Sequence, residues 1–158
     1  MSRCPVCDAL LTVIGSRVRT RRTPEGIRHR LIIRRLRCLP CRRIHHELPD
    51  CLVPFKRYDA EALESFATQG PTAAVAADTS TLVRWQAWLA VWMPYVQRCW
   101  AALAARDSAA EMDGAPPFPA ALHGRAPWTQ APPGWLRVIV HRLVNAALWP
   151  QTRSALVT

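Results

Sequence analysis

The apolar residues change their period along the chain. Between residues 10 and 38 they fall in two runs, LLTVIGSRVRT and HRLIIRRLRC, rich in the branched side chains that suit a pleated, half-buried surface. The segment RTPEGI between them carries Pro24 and Gly26, residues that turn a chain. The pattern predicts a long β-hairpin. Arg17, Arg19 and Arg21 lie two apart and share one face of a strand. In the second run Leu31 and Ile33 share a face that Arg35 and Arg37 continue, while Leu36 has the opposite parity. This predicts a bulge or twist near Arg34–Arg35, or a strand exposed on both sides.

From residue 59 the period becomes helical. Asp59 is a suitable N-cap for AEALESFAT, with Glu61 in the first turn, and Gly70-Pro71 closes that helix. TAAVAA is a second, short helix candidate. Asp78, Thr79 and Ser80 form a turn and offer caps to TLVRWQAWLAVW, in which Leu82, Trp85, Leu89 and Trp92 form one stripe. Pro94 is expected to break or kink this helix, and Trp100 and Leu103 continue the core beyond it. A last helix, GWLRVIVHRLVNAALWP, carries Arg137, His141 and Asn145 on one face. It is apolar enough to be buried against the other helices or a partner. The organisation expected is a ribbon over 1–48, an extended connector over 49–58 containing Pro49 and Pro54, and a helical region over 59–112. A Pro-rich linker over 113–133 and a C-terminal helix over 134–150 complete it. The fold class is α+β.

Charge sharpens this division. Residues 1–58 hold fourteen basic residues against four acidic ones, a surplus of ten, and the rest of the 158-residue chain holds seven of each. Thirteen of those fourteen are Arg, whose planar fork matches phosphate oxygens two at a time. A polyanion is the partner this implies. MSRCPVC has no apolar leader pattern, and no charge-free apolar stretch reaches the roughly 18 residues of a membrane span. The expectation is a cytoplasmic protein with reduced cysteines and no membrane partner.

Two C-x-x-C pairs, Cys4/Cys7 and Cys38/Cys41, flank the hairpin. Four thiolates in two tight turns are the pattern of a tetrahedral zinc site, here a zinc ribbon holding Zn²⁺. A redox C-x-x-C would sit near a βαβ pattern, which is absent, and a disulfide framework needs an oxidising compartment. His45 and His46 follow close behind Cys41 and offer substitute ligands. The four cysteines close the site without them, which makes the histidines neighbours of the metal or contacts for a polyanion. Cys51 and Cys99 have no such pairing and read as small buried residues.

A short helix, a polar turn and a helix beginning Ser-Thr-Leu-Val-Arg-Trp suggest a helix-turn-helix, with Ser80, Thr81 and Arg84 turned to a DNA groove. The ribbon's phosphate contacts would be Arg17, Arg19, Arg21, Arg34 and Arg35, joined by Arg42 and Arg43. Lys56 and Arg57 extend this surface into the connector. CPVC, RRLRCLPCRRIHHELPD, LVPFKRYDAE and TSTLVRW together resemble a family of small bacterial zinc-ribbon proteins of unknown function encoded with insertion elements and transposases. The likeness runs over about residues 1–92, and more weakly over the last helix. It implies a Cys₄ ribbon followed by a DNA-binding helical unit, and a role as a transposase accessory or regulator. Here Leu39-Pro40 stiffens the second knuckle, where many such sequences have glycine. The acids are few and scattered, with no carboxylate cluster for Mg²⁺, so no catalysis is expected. The expected function is zinc-stabilised binding of double-stranded DNA. An RNA-binding module, or a protein-interaction module that meets a transposase or another protein through the last helix, is the alternative.

Overall fold

A computed structural model describes residues 2–107 and 133–149, and the backbone of residues 154–156. The hairpin forms as expected. β1 (Leu11–Arg22) and β2 (Arg28–Cys38) pair antiparallel along their whole length, and β3 (Ile44–Leu48) pairs antiparallel with β2. The short β4 (Ser154–Leu156) adds to β3 in parallel, giving the order β1-β2-β3-β4. The turn of the hairpin closes through Gly26 N–H donating to Thr23 C=O, with Gly26 at φ +84°.

The shift of apolar parity in β2 has a physical cause. Leu31 and Ile33 face the helical core, in which Ile33 is buried, whereas Leu36 and Cys38 are buried outside that core. One strand is thus covered on opposite faces at its two ends. The bulge lies on the facing strand: Val13 pairs with Leu36 and Gly15 with Arg35, leaving Ile14 as the extra residue.

Three helices follow among the described residues: α1 (Ala60–Gln69), α2 (Thr79–Asp107) and α3 (Trp135–Asn145), with a 3₁₀ turn over Gly70–Thr72. Asp59 caps α1, accepting from Ala62 N–H at 3.0 Å, and Gly70 closes it at φ +66°. Trp85, Leu89 and Trp92 are buried as their spacing requires, with Leu82 packed against them. Pro94 neither ends nor interrupts the 29-residue α2. It lies on the exposed side, where water can satisfy the carbonyl that its missing N–H leaves free. The apolar side of α3 is spent on this core: Leu136, Ile139, Val140, Leu143 and Val144 are buried.

Two local expectations are corrected. TAAVAA is no helix. Residues 73–77 run with alternate residues half-buried, closed by bonds from Val75 N–H to Ala73 C=O and from Ala77 N–H to Val75 C=O, both 2.8 Å. Six residues cannot nucleate a helix cheaply. This stretch instead docks on the hairpin tip, where Ala76 N–H donates to Pro24 C=O at 2.7 Å. A Cβ on Gly26 would come within 3.1 Å of the Ala76 Cβ. Nine residues, 70–78, thus separate α1 from α2, against the three or four of a helix-turn-helix. The connector 49–58 is likewise folded rather than extended. Leu52 N–H returns to Pro49 C=O and Lys56 N–H to Val53 C=O, two turns that carry Leu52 and Val53 fully into the core. Residues 108–112, most of the Pro-rich 113–133 and residue 150 lie outside the described residues.

α1 holds α3 by its end. The Glu64 carboxylate accepts from Gly134 N–H at 2.6 Å and from Leu136 N–H at 3.0 Å, filling the place of the N-cap side chain that Gly134 lacks. Glu64→Ala should therefore lower unfolding free energy by about 1–2 kcal/mol, read in urea titration of the full chain. An unchanged midpoint would show that α3 does not depend on this carboxylate.

Candidate metal centre and cationic cleft

The two cysteine turns are built alike. Cys4 N–H donates to Ala9 C=O and Cys38 N–H to Arg43 C=O, each 2.9 Å and each spanning five residues. The residue after each second cysteine, Asp8 and Arg42, adopts the left-handed conformation at φ +57°. Each turn lifts its two sulfurs toward the other. Cys4 Sγ is 3.6 Å from Cys41 Sγ, Cys7 Sγ is 3.3 Å from Cys38 Sγ, and all four lie within 4.8 Å of one another. A tetrahedral ion with metal–sulfur bonds of about 2.3 Å needs sulfurs about 3.8 Å apart. The cluster can therefore hold a metal ion, and these four cysteines form the thiol-only group of this kind among the described residues.

The thiols do not ionise alike. Cys41 is brought down to about 7 by the hydrogen bond from the Cys38 thiol and by Arg43 N–H. Cys38 is pushed up to about 12: its bond from Cys41 N–H favours the thiolate, but burial and the neighbouring Cys41, Cys7 and Cys4 thiols outweigh it. A dication held by the four sulfurs would reverse this balance, because it would turn four competing negative charges into ligands. His45 is buried on the same side, its Nε2 3.4 Å from Cys4 Sγ. It is a neighbour of the sulfurs, outside the four-thiol group. His46 is on the other face, where it pairs across the ladder with Arg35. Burial and the Arg17, Arg35 and Arg19 charges lower its basicity.

The ribbon's arginines divide. Arg17 and Arg19 pair directly with Ile33 and Leu31, so they lie on the sheet face that meets the core. Arg17 reaches solvent. Arg19 does not act as a free surface cation: its Nη2 donates to Val53 C=O at 3.0 Å and to Lys56 C=O at 2.8 Å. Arg21 Nη1 meets the second oxygen of the capping Asp59 at 2.9 Å, with Asp59 almost wholly buried. Both are corrections to the expected phosphate-facing row. The period placed the three on one face, but that face holds buried carbonyls and a buried carboxylate that need donors. Arg34 is paired with the buried Glu47, which also accepts from Ser2. Arg35 is half-buried, and Arg42 and Arg43 are exposed.

The remaining expected residues come together from distant segments. Lys56, Arg57, Thr81 and Arg84 line one open cleft of about 420 Å³ with Arg22, Tyr58, Asp78 and Trp85. Arg22 lies over the Tyr58 ring, 5.7 Å from its centroid. Asp78 caps α2, accepting from Thr81 N–H at 2.7 Å and from the Ser80 and Thr81 hydroxyls. Arg84 donates to those same hydroxyls at 3.3 and 3.1 Å. Ser80 is thus exposed but tied into the cap. Sequence reasoning missed Arg22, whose place depends on its backbone pairing with the connector: Arg22 N–H donates to Arg57 C=O and Asp59 N–H to Arg22 C=O.

The family model described as a domain of unknown function, DUF6431, matches residues 4–85. The chain belongs to this family. The DUF6431 match begins at the first cysteine of the metal centre and ends at Trp85 in the cleft, so it takes in both sites. Comparison with curated proteins and with solved structures returns no match.

Metal uptake should release protons, since Cys38 gives up a proton otherwise held to about 12. Titration of the reduced full chain in buffers of different ionisation enthalpy reads this, with affinity falling as pH is lowered. His45→Ala should keep one ion per chain and weaken affinity about 10–100-fold. Loss of the ion from that variant would make His45 a ligand.

Proposed function

We propose that the chain is a zinc-stabilised DNA-binding protein that acts by binding rather than by catalysis. The observation that carries this reading is the cleft, where Arg22, Lys56, Arg57 and Arg84 converge from three segments of the chain. Folding brings these like charges together at a cost, which a bound polyanion relieves. Phosphodiesters suit the arginine forks, and the exposed Arg42 and Arg43 extend the cationic surface along the ribbon.

Zinc is the metal that four thiolates at tetrahedral spacing favour. Its binding would supply folding free energy to residues 1–48, on the order of 10 kcal/mol, and would hold the ribbon's end firm. The reading of binding without catalysis draws on four of the described carboxylates being held in structural contacts. Asp59, Glu64 and Asp78 cap helices and Glu47 neutralises Arg34. No helix among the described residues is long and apolar enough to cross a membrane. The link to insertion elements belongs to the same proposal, with a transposase as the natural protein partner.

The tethering of Arg84 to Ser80 and Thr81 favours phosphate contact over base reading at the start of α2. Arg57→Ala with Arg84→Ala should flatten the slope of log K against log salt on duplex DNA by nearly 2, about 0.9 for each lost phosphate contact. All sequences should weaken alike. Loss confined to a selected sequence would instead make α2 a recognition helix, and an unchanged slope would remove the cleft from the interface.

Binding should also depend on pH through one group. Burial pushes Lys56 down to about 8, while the Trp88 ring beneath its ammonium, 3.8 Å away, works against that fall. The arginines stay charged throughout, and Asp78, held low first by Ser80 and then by Thr81 N–H, is ionised. A lowered lysine loses its charge as pH rises, so affinity should fall from about pH 8 upward. Lys56→Arg should abolish that fall. A pH-independent affinity in the unaltered chain would exclude Lys56 from phosphate contact.

A further inference from the structure

Residues 53–56 form a turn closed by Lys56 N–H donating to Val53 C=O at 3.1 Å. Pro54 stands at its second position. The third position has positive φ, the mark of a type II turn, and ordinarily belongs to glycine. Here it is Phe55, at φ +63° and with 69% of its surface exposed. A bulky side chain is disfavoured in that conformation, and a large apolar ring gains nothing from water. The turn is nevertheless held firmly, since both carbonyls that Arg19 grips, those of Val53 and Lys56, belong to it. Strain maintained by surrounding structure at an exposed residue points to use of that residue.

Its surroundings indicate the use. Phe55 stands between two openings and lines both. On one side is the cationic cleft. On the other is an aromatic groove of about 520 Å³ that includes Trp88, Trp92, Trp149 and Arg98. Trp88 and Trp92 stack with centroids 4.8 Å apart, and Lys56 covers the Trp88 face. An exposed ring followed at once by Lys56 and Arg57 offers a π-face and two phosphate contacts within three residues. That is the combination with which proteins hold single strands. In an uninterrupted duplex the base faces are covered by their neighbours, and Phe55 would find none to stack on.

We propose that Phe55 stacks on an unpaired nucleobase whose strand lays its phosphates along the cationic cleft, so that the protein prefers single-stranded DNA or duplex with an unpaired end. This rests on the nucleic-acid-binding reading above and narrows its ligand. The surplus positive charge around Phe55 favours this occupant over an ordinary protein surface, which would bring its own cations to the cleft.

The test uses the metal-loaded full chain with three probes of one sequence: a single strand, a blunt duplex, and a duplex with a single-stranded overhang. The unaltered chain should bind the strand and the overhang more tightly than the blunt duplex. Phe55→Ala, which keeps the backbone conformation and removes the ring, should weaken those two by about tenfold and the blunt duplex far less. Phe55→Trp should restore the preference. Phe55→Gly should raise the thermal midpoint and lose the preference as Phe55→Ala does, a separation that a purely structural phenylalanine would not give. Equal affinity for all three probes, or an equal effect of Phe55→Ala on all three, overturns the stacking contact and leaves the nucleic-acid reading intact. Failure of the unaltered chain to bind any probe overturns both.

Discussion

The guanidinium of Arg19 joins the two halves of the molecule. It leaves the hairpin on the sheet face nearest the helices and donates to the carbonyls of Val53 and Lys56, the two ends of the turn between ribbon and helices. Two residues further along the strand, Arg21 meets Asp59, which caps α1. Without these donors the Val53 carbonyl would keep only Lys56 N–H, the buried Asp59 carboxylate only Ala62 N–H, and the Lys56 carbonyl would lose its Arg19 bond, at a cost of about 1.5–3 kcal/mol for each charge-assisted bond lost. The direction of α1, the placement of Lys56 and Arg57 and the posture of Phe55 all follow from where that turn is held. The cleft is thus assembled by arginines that do not themselves line it.

The metal centre is a separate solution to a separate deficit. The knuckle end of the sheet turns Leu36 and Cys38 away from the helical core. Among the described residues, His45, Glu47 and Cys4 are buried on that side, while Val13, which pairs with Leu36, is exposed. A small ribbon with so little apolar cover cannot rely on hydrophobic burial. Four sulfurs within 4.8 Å of one another give a cross-link in its place, and the matched turns at Cys4–Asp8 and Cys38–Arg42 show both halves of the site shaped to the same end.

These two solutions were not equally legible in the sequence. The cysteine pairs were plain because spacing within a tight turn fixes where two thiolates go. The helical stripe and the Asp59 and Gly70 caps were plain because they are local. The fate of the arginines was not, because period two assigns a residue to a face without saying what that face meets. TAAVAA looked helical by composition, yet its conformation is decided by the hairpin tip, about fifty residues earlier in the chain. Glu64 could not be recognised as the cap of α3, since its contact with Gly134 spans 70 residues. Phe55 left a faint signal that went unread: a proline before an aromatic residue, in a position where turn chemistry prefers glycine.

The central claim is that the connector and the start of α2, brought together by folding, form one nucleic-acid interface. Hydrogen exchange of the zinc-loaded full chain with and without a saturating DNA overhang tests it most directly. The account predicts new protection over residues 53–58 and 78–85 together, with the core of α3 unchanged. Protection confined to the knuckles or to α3, with neither of those two segments affected, would contradict it.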